Sequence, residues 1–200
     1  MDTRLRILQE AGMLFSKYGI RSVTMDSIAN ELGISKRTLY EIFTDKDDLV
    51  MQAIQEGSKH HKKVCRKIIS ESDNVIDAIF KIFTLNNETF GKMNPLFFED
   101  LKKYHSQIFK QIQQKGDIRD YKLTEKLLER GASEGIFDDN LDFRIINLFV
   151  HKLVDLLHET EFEDFSKNEI GKSVIIPYLL GISTKTGRDL IDKYLENYNN

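Results

Sequence analysis

The stretch Thr24 to Phe43, TMDSIANELGISKRTLYEIF, constrains this chain more than any other. Met25, Ile28, Ala29 and Leu32 fall at i, i+3, i+4 and i+7, the one-sided apolar stripe of a short amphipathic helix. Thr24 stands just before the stripe as an N-cap, and Asp26 suits the positive end of the helix dipole. Gly33 follows the last apolar residue, where a left-handed stop costs glycine nothing. Ile34 then supplies a buried hook, and Ser35 caps a second helix running to about Phe43, with Leu39, Ile42 and Phe43 turned inward. Two short helices joined by a turn containing Gly predict a helix-turn-helix.

The exposed start of the second helix carries the chemistry. Lys36 and Arg37 occupy its first turn, where the dipole disfavours cations by a few tenths of a kcal/mol. Local stability would choose Asp or Glu there. A cation makes sense if the helix end faces an anion, because free N–H groups, dipole and side chains then converge on it. In a helix-turn-helix that anion is DNA. Arg37 can fork onto guanine O6 and N7, Thr38 can touch a thymine methyl, and Tyr40 can reach phosphate. With the caps Thr24 and Ser35, these residues and Lys36 make up the expected DNA-contacting set of the motif. The competing reading is a solvated basic helix end with Tyr40 packed as core.

The block Ala11 to Val50 resembles the N-terminal DNA-binding domain of the TetR family of bacterial transcriptional regulators. The resemblance rests on Phe15 and Gly19 in the first helix, Thr24, Ile28–Ala29, Gly33, Ser35, Thr38–Leu39–Tyr40, Phe43, and Lys46 before Leu49. It implies a helical homodimer whose divergent C-terminal domain binds a small molecule and releases the DNA. It also implies a phosphate contact for Lys46. Two positions depart from the commonest family pattern: Arg37 stands where a small residue is usual, and Glu41–Ile42 stand where a Tyr–His pair is frequent. No operator sequence and no His contact to the DNA backbone carry over.

Composition bounds the rest. Of 200 residues 40% are apolar and 30% charged, an ordinary globular balance. No run approaches the roughly eighteen apolar residues a membrane helix needs. The start MDTRLRILQEAG lacks the apolar core of a signal peptide, and the single cysteine, Cys65, excludes internal disulfides. Both fit a cytoplasmic location. Two prolines and little β-branched alternation predict an all-α chain. The net charge of -3 is unevenly spread: residues 1–68 hold 12 Lys and Arg against 9 Asp and Glu, and the remainder holds 17 against 23. The basic part carries the motif; the acidic part should face away from DNA.

Taken in order, helix one runs from about Thr3 to Tyr18, completing a three-helix DNA-binding domain over 1–46. A connecting helix over 47–70 follows, led by Thr44–Asp45 as its cap. His61 and Cys65 share a face on it, but Lys59, Lys62 and Lys63 flank them and no third ligand lies near, so a basic surface is expected and no metal. The body, 71–200, should bind ligand and mediate dimerisation as a helical bundle. Helices are expected over about 74–90, onward from Asn94–Pro95, and over about 117–134 before Gly135. Phe80, Phe83, Phe97, Phe98, Tyr104, Phe109 and Tyr121 are more aromatic than a plain bundle needs. They are the candidate lining of an apolar pocket, with His151 as a polar contact; plain core packing is the competing reading.

The segment FRIINLFVHKLVDLL is apolar almost all round, and so is covered on more than one side. Ile146, Val150, Leu153 and Leu157 on it, with Ile170, Val174 and Tyr178 on a later helix, form the candidate dimer face; Pro177 should kink or split that later helix. A short C-terminal helix over 186–199 closes the chain. The expected function is a homodimeric repressor of a pseudo-palindromic operator in double-stranded DNA, released by a small apolar or amphipathic effector. The alternative is a similar DNA-binding protein controlled by a protein partner or by no effector. GxSxG, Walker, HExxH and CxxC patterns are absent, so neither an enzyme nor a cofactor is expected.

Overall fold

Caps at fixed offsets set the first helices. In a computed structural model that describes residues 2–115, 120–156 and 164–198, α1 (Thr3–Tyr18) begins where the Asp2 carboxylate accepts the Arg4 N–H. It ends at Gly19, whose φ of 82° lies in the region that favours glycine. A reciprocal capping box opens α2 (Met25–Leu32): the Thr24 hydroxyl accepts from Ser27 N–H at 3.0 Å, and the Ser27 hydroxyl accepts from Thr24 N–H at 2.9 Å. Gly33 closes it at φ 64°. Ser35 caps α3 (Lys36–Ile42) by accepting the Thr38 N–H at 3.0 Å. The 26-residue α4 (Lys46–Glu71) is led by Asp45, which accepts the Asp48 N–H.

The following helices are α5 (Val75–Phe90), α6 (Leu96–Tyr104), α7 (Ser106–Lys115), α8 (Tyr121–Ser133), α9 (Phe143–Leu156), α10 (Lys167–Ile170), α11 (Ile176–Ile182) and α12 (Lys185–Tyr198). The described residues are all-α, apart from a lone antiparallel bridge between Phe137 and Ser183. No helix among them is long and apolar enough to cross a membrane.

The chain divides into two compact units, and the division is not linear. The first comprises residues 1–64 and 88–118; the second comprises 65–87 and 119–200. In the first unit Ile7, Ala11, Phe15, Ile28, Leu39, Phe43, Leu49 and Val50 form one core with Phe97, Leu101, Ile108 and Ile112 from α6 and α7. The body expected from residue 71 onward thus gives up α6 and α7, because their apolar stripes pack with the helix-turn-helix. The loop before α6 is tied to α1 as well: Asn94 N–H donates to the Ser16 carbonyl at 2.8 Å. The helix expected onward from Pro95 breaks at His105 (φ −123°, ψ 42°), giving α6 and α7.

In the second unit Val75, Ile76, Leu128, Ile136, Phe137, Leu179, Ile182 and Ile191 make the core. Arg130 on α8 ties its end to the preceding segment, donating to the carbonyls of Ile69 and Ser72 and pairing with Glu134, which in turn accepts the Val75 N–H at 2.7 Å. Two glycines permit close approach. A Cβ on Gly131 would lie 2.2 Å from the Phe137 ring, and one on Gly187 would lie 2.2 Å from the Ile136 carbonyl oxygen. Pro177 neither simply kinks nor simply splits its helix: five residues of π-helix, Gly171–Ile175, join α10 to α11, and Pro177 sits in the first turn of α11. A proline cannot donate to the residue four back, and a widened turn is one way a helix absorbs that loss.

Candidate nucleic-acid interface

The helix-turn-helix presents α3 to solvent by its first two turns. Leu39 is buried and locks the helix to the core, while Lys36, Arg37, Tyr40 and Glu41 point outward. The Arg37 side chain is 88% exposed and pairs with Glu41, one turn on, at 2.9 Å. Lys36 pairs with Asp26 of α2 at 2.7 Å, a contact that raises the pKa of its ammonium, and it also lies 6.0 Å from the Tyr40 ring centroid. Tyr40 is 46% exposed, which removes the reading that buries it in the core. Thr24 and Ser35 keep their hydroxyls on the caps, and the Thr38 hydroxyl lies 2.8 Å from that of Ser35. The structure brings Ser35, Lys36, Arg37, Thr38 and Tyr40 together on one short helix end, with Thr24 at the start of the neighbouring helix.

Lys46 behaves differently. Its ammonium reaches back to the Arg21 carbonyl at 3.5 Å, and burial pushes its pKa down against the opposing pull of Asp100 and Asp47. Asp100 was not singled out by sequence. Its side chain is buried at 7% exposure in α6 and accepts the Arg21 N–H at 2.7 Å. The signal was a carboxylate three residues after Phe97 and next to Leu101, on a stripe that is otherwise apolar.

The eight candidate ligand residues divide between the two units. Phe97 is core in the first unit, Phe109 packs against that core, Phe98 lies edge-on to Phe97 at 5.3 Å, and Tyr104 is exposed beneath the Arg21 guanidinium at 4.9 Å. In the second unit Phe80 stacks on Tyr194 at 5.4 Å, Phe83 lies by Gly171, and Tyr121 meets His151 with ring centroids 4.0 Å apart. Asn147, one turn before His151, donates from Nδ2 to the Tyr121 carbonyl at 2.8 Å. Its Oδ1 is buried with no hydrogen-bond partner among the described residues, and so is the Tyr178 hydroxyl, whose pKa burial pushes well above the usual phenol value.

Of the candidate dimer residues, Ile146 and Tyr178 pack against the second core, and Val150, Leu153, Ile170 and Val174 are half-buried; Leu157 lies outside the described residues. The exposed apolar stripe of α9 is the adjacent one, Ile145 (66%), Leu148 (55%) and Phe149 (53%). Cys65, expected on a basic surface, is buried instead, and burial pushes its thiol up. Among the described residues no group of three or more His, Cys, Asp or Glu could hold a metal ion.

Fold and site together define a helix-turn-helix head within an all-α chain. Residues 7–53 match the profile of the bacterial regulatory proteins of the tetR family. That N-terminal segment is thus similar to the DNA-binding domain of the TetR family of transcriptional regulators. The chain is 35% identical over 101 residues to the regulator YvaF of Bacillus subtilis, covering 50% of this chain and 53% of that one, so the chain spans about half the length of that relative. It is 27% identical over 168 residues to the regulator SAR2658 of Staphylococcus aureus, covering 76% of this chain and 89% of that one. Among solved structures, a TetR-family regulator from Marinobacter aquaeolei matches with a TM-score of 0.68 at 20% identity, covering 99% of each chain. A regulator from Saccharomonospora viridis, in complex with choline, matches with a TM-score of 0.57 at 19% identity, covering 98% of this chain and 96% of that one.

Proposed function

We propose that this protein is a cytoplasmic, homodimeric repressor that reads a pseudo-palindromic operator with α3 and is released by a small ligand held in its second unit. The observation that carries it is the exposed start of α3, where Arg37, Lys36 and Tyr40 lie on the surface of a helix whose other face is core. Lys46 adds a phosphate contact beside it. The exposed stripe Ile145–Leu148–Phe149 supports a second copy of the chain as partner, and two such heads suit a two-fold symmetric operator. The buried, unpartnered Asn147 Oδ1 and Tyr178 hydroxyl, close to aromatic rings, support a mostly apolar ligand with a hydrogen-bonding group. The choline complex of the Saccharomonospora viridis regulator is a precedent for a small ligand on this fold.

The experiment is selection of bound fragments from a random DNA pool, followed by a thermal-shift screen of apolar and amphipathic metabolites with and without operator. The expected outcome is a pseudo-palindrome and a compound that weakens operator binding. DNA must weaken that compound by the same factor, typically about 5- to 150-fold. Stabilising compounds that all leave operator affinity unchanged would sink ligand control.

A further inference from the structure

The turn between α1 and α2 is gripped from two sides through one residue. Arg21 gives its N–H to the buried Asp100 carboxylate at 2.7 Å, and its carbonyl accepts from the Lys46 ammonium at 3.5 Å. A Cβ on Gly19 would lie 3.1 Å from the same Asp100 oxygen, so this turn is packed directly onto the carboxylate. The Arg21 guanidinium completes the clasp, bonding the Tyr104 hydroxyl at 3.1 Å one turn along α6 from Asp100. Asp100 is the foremost negative charge acting on Lys46; the next, Asp47, is engaged by His105 at 2.8 Å.

A neutral carbonyl at 3.5 Å holds an ammonium weakly. Through the Arg21 residue that both touch, the Asp100 charge adds an attraction that works against the burial lowering the ammonium's pKa. DNA phosphate would draw the same ammonium the other way. We propose that Asp100 is a positioning residue for DNA binding, which holds Lys46 at the Arg21 turn in competition with phosphate. The consequence is that α6, which carries Asp100, sets how readily the head grips the DNA backbone. This rests on the reading of Lys46 as a phosphate contact.

The experiment measures operator and random-DNA affinity across a salt series for the full-length protein, Asp100→Asn, Lys46→Ala and the double variant. Asn keeps an acceptor for the Arg21 N–H, so the turn survives while the charge goes. Asp100→Asn should bind both DNAs about two- to fivefold tighter, the size of a weak attraction between charges. Its salt slope should stay that of the wild-type protein, because Lys46 meets the same phosphate in both complexes. The gain in affinity should vanish in the Lys46→Ala background. A gain that persists there reflects general loss of negative charge and overturns the proposal, as does no gain at all. Lys46→Ala alone tests the underlying reading: an unchanged slope means Lys46 meets no phosphate, and both ideas fall. A lost slope with Asp100→Asn inert faults the tether alone. Should Asp100→Asn not fold, the nitrogen resonance of the Lys46 ammonium reports the same exchange. It should move when operator is added to the wild-type protein, and a resonance that stays put overturns the proposal.

Discussion

On the proposed reading, Arg37 exchanges a weak contact in the free protein for a stronger one on DNA. Its pair with Glu41 is exposed on both sides, and such pairs one turn apart are worth about 0.3–0.5 kcal/mol. A bidentate guanine contact is worth about 1–3 kcal/mol of discrimination, enough for the pair to yield to it. Arg37→Ala should therefore cost about 1–3 kcal/mol on the selected operator and relax base choice at one position. Equal weakening on cognate and random DNA, measured by titration, would make Arg37 a backbone contact. In the second unit the vulnerable residue is Gly131. A methyl group there meets the Phe137 ring, which is 1% exposed and cannot swing into solvent. Gly131→Ala should lose about 1–3 kcal/mol by overpacking, read as a lower melting temperature. An unchanged melt would mean the ring has room to retreat.

At the scale of the element, α9 carries three kinds of face. Ile146 turns to the core, Asn147 and His151 turn to Tyr121, and Ile145, Leu148 and Phe149 turn to solvent. Phe149→Glu should leave the monomer folded and abolish dimers in sedimentation, whereas Ile146→Glu should unfold the second unit by burying a charge. A dimer that survives Phe149→Glu and Leu148→Glu moves the interface elsewhere. The helix start is pH-sensitive through Asp142, whose carboxyl is lowered to about 2 by the Arg144 guanidinium and the Arg144 N–H. A lowered folded-state pKa stabilises above the ordinary carboxylate range, and that stabilisation fades as pH falls toward 2. Asp142→Ala should flatten acid unfolding in that window; an unchanged acid limb would show that other carboxylates govern it.

Elements differed in how plainly the sequence announced them. The head helices were legible because Thr24, Gly33 and Ser35 sit at fixed offsets from an apolar stripe, and the same hydrogen bonds appear in the structure. The break between α6 and α7 was not, since Leu101, Tyr104, Ile108 and Ile112 continue one helical periodicity straight through His105. The π-helical turn before Pro177 left only the proline as a sign. In the candidate site, exposed Arg37 and Tyr40 could be read from spacing. The direction taken by Lys46 could not, because it depends on Asp100, a residue 54 positions away in sequence.

On the scale of the whole molecule, spacing gave helices but not their grouping. Contiguous reading put residues 96–112 in the body, while packing puts them in the first core. A fragment ending at residue 70 therefore lacks Phe97, Leu101, Ile108 and Ile112, each worth about 1.5–3 kcal/mol of burial. We expect residues 1–70 alone to melt with little cooperativity and to bind operator poorly, even when fused to a foreign dimerisation module. A fusion that binds as tightly as the full chain would show that α6 and α7 are dispensable.

The interleaved core also sets a schedule for synthesis. Domains generally fold as units while the chain emerges from the ribosome, N-terminal part first. Here the N-terminal unit closes only with Ile112, when more than half of the 200 residues have been translated. Until then the recognition helix exists without the surface that steadies it. A nascent chain paused before α6 would display Arg37 and Tyr40 on a half-made scaffold.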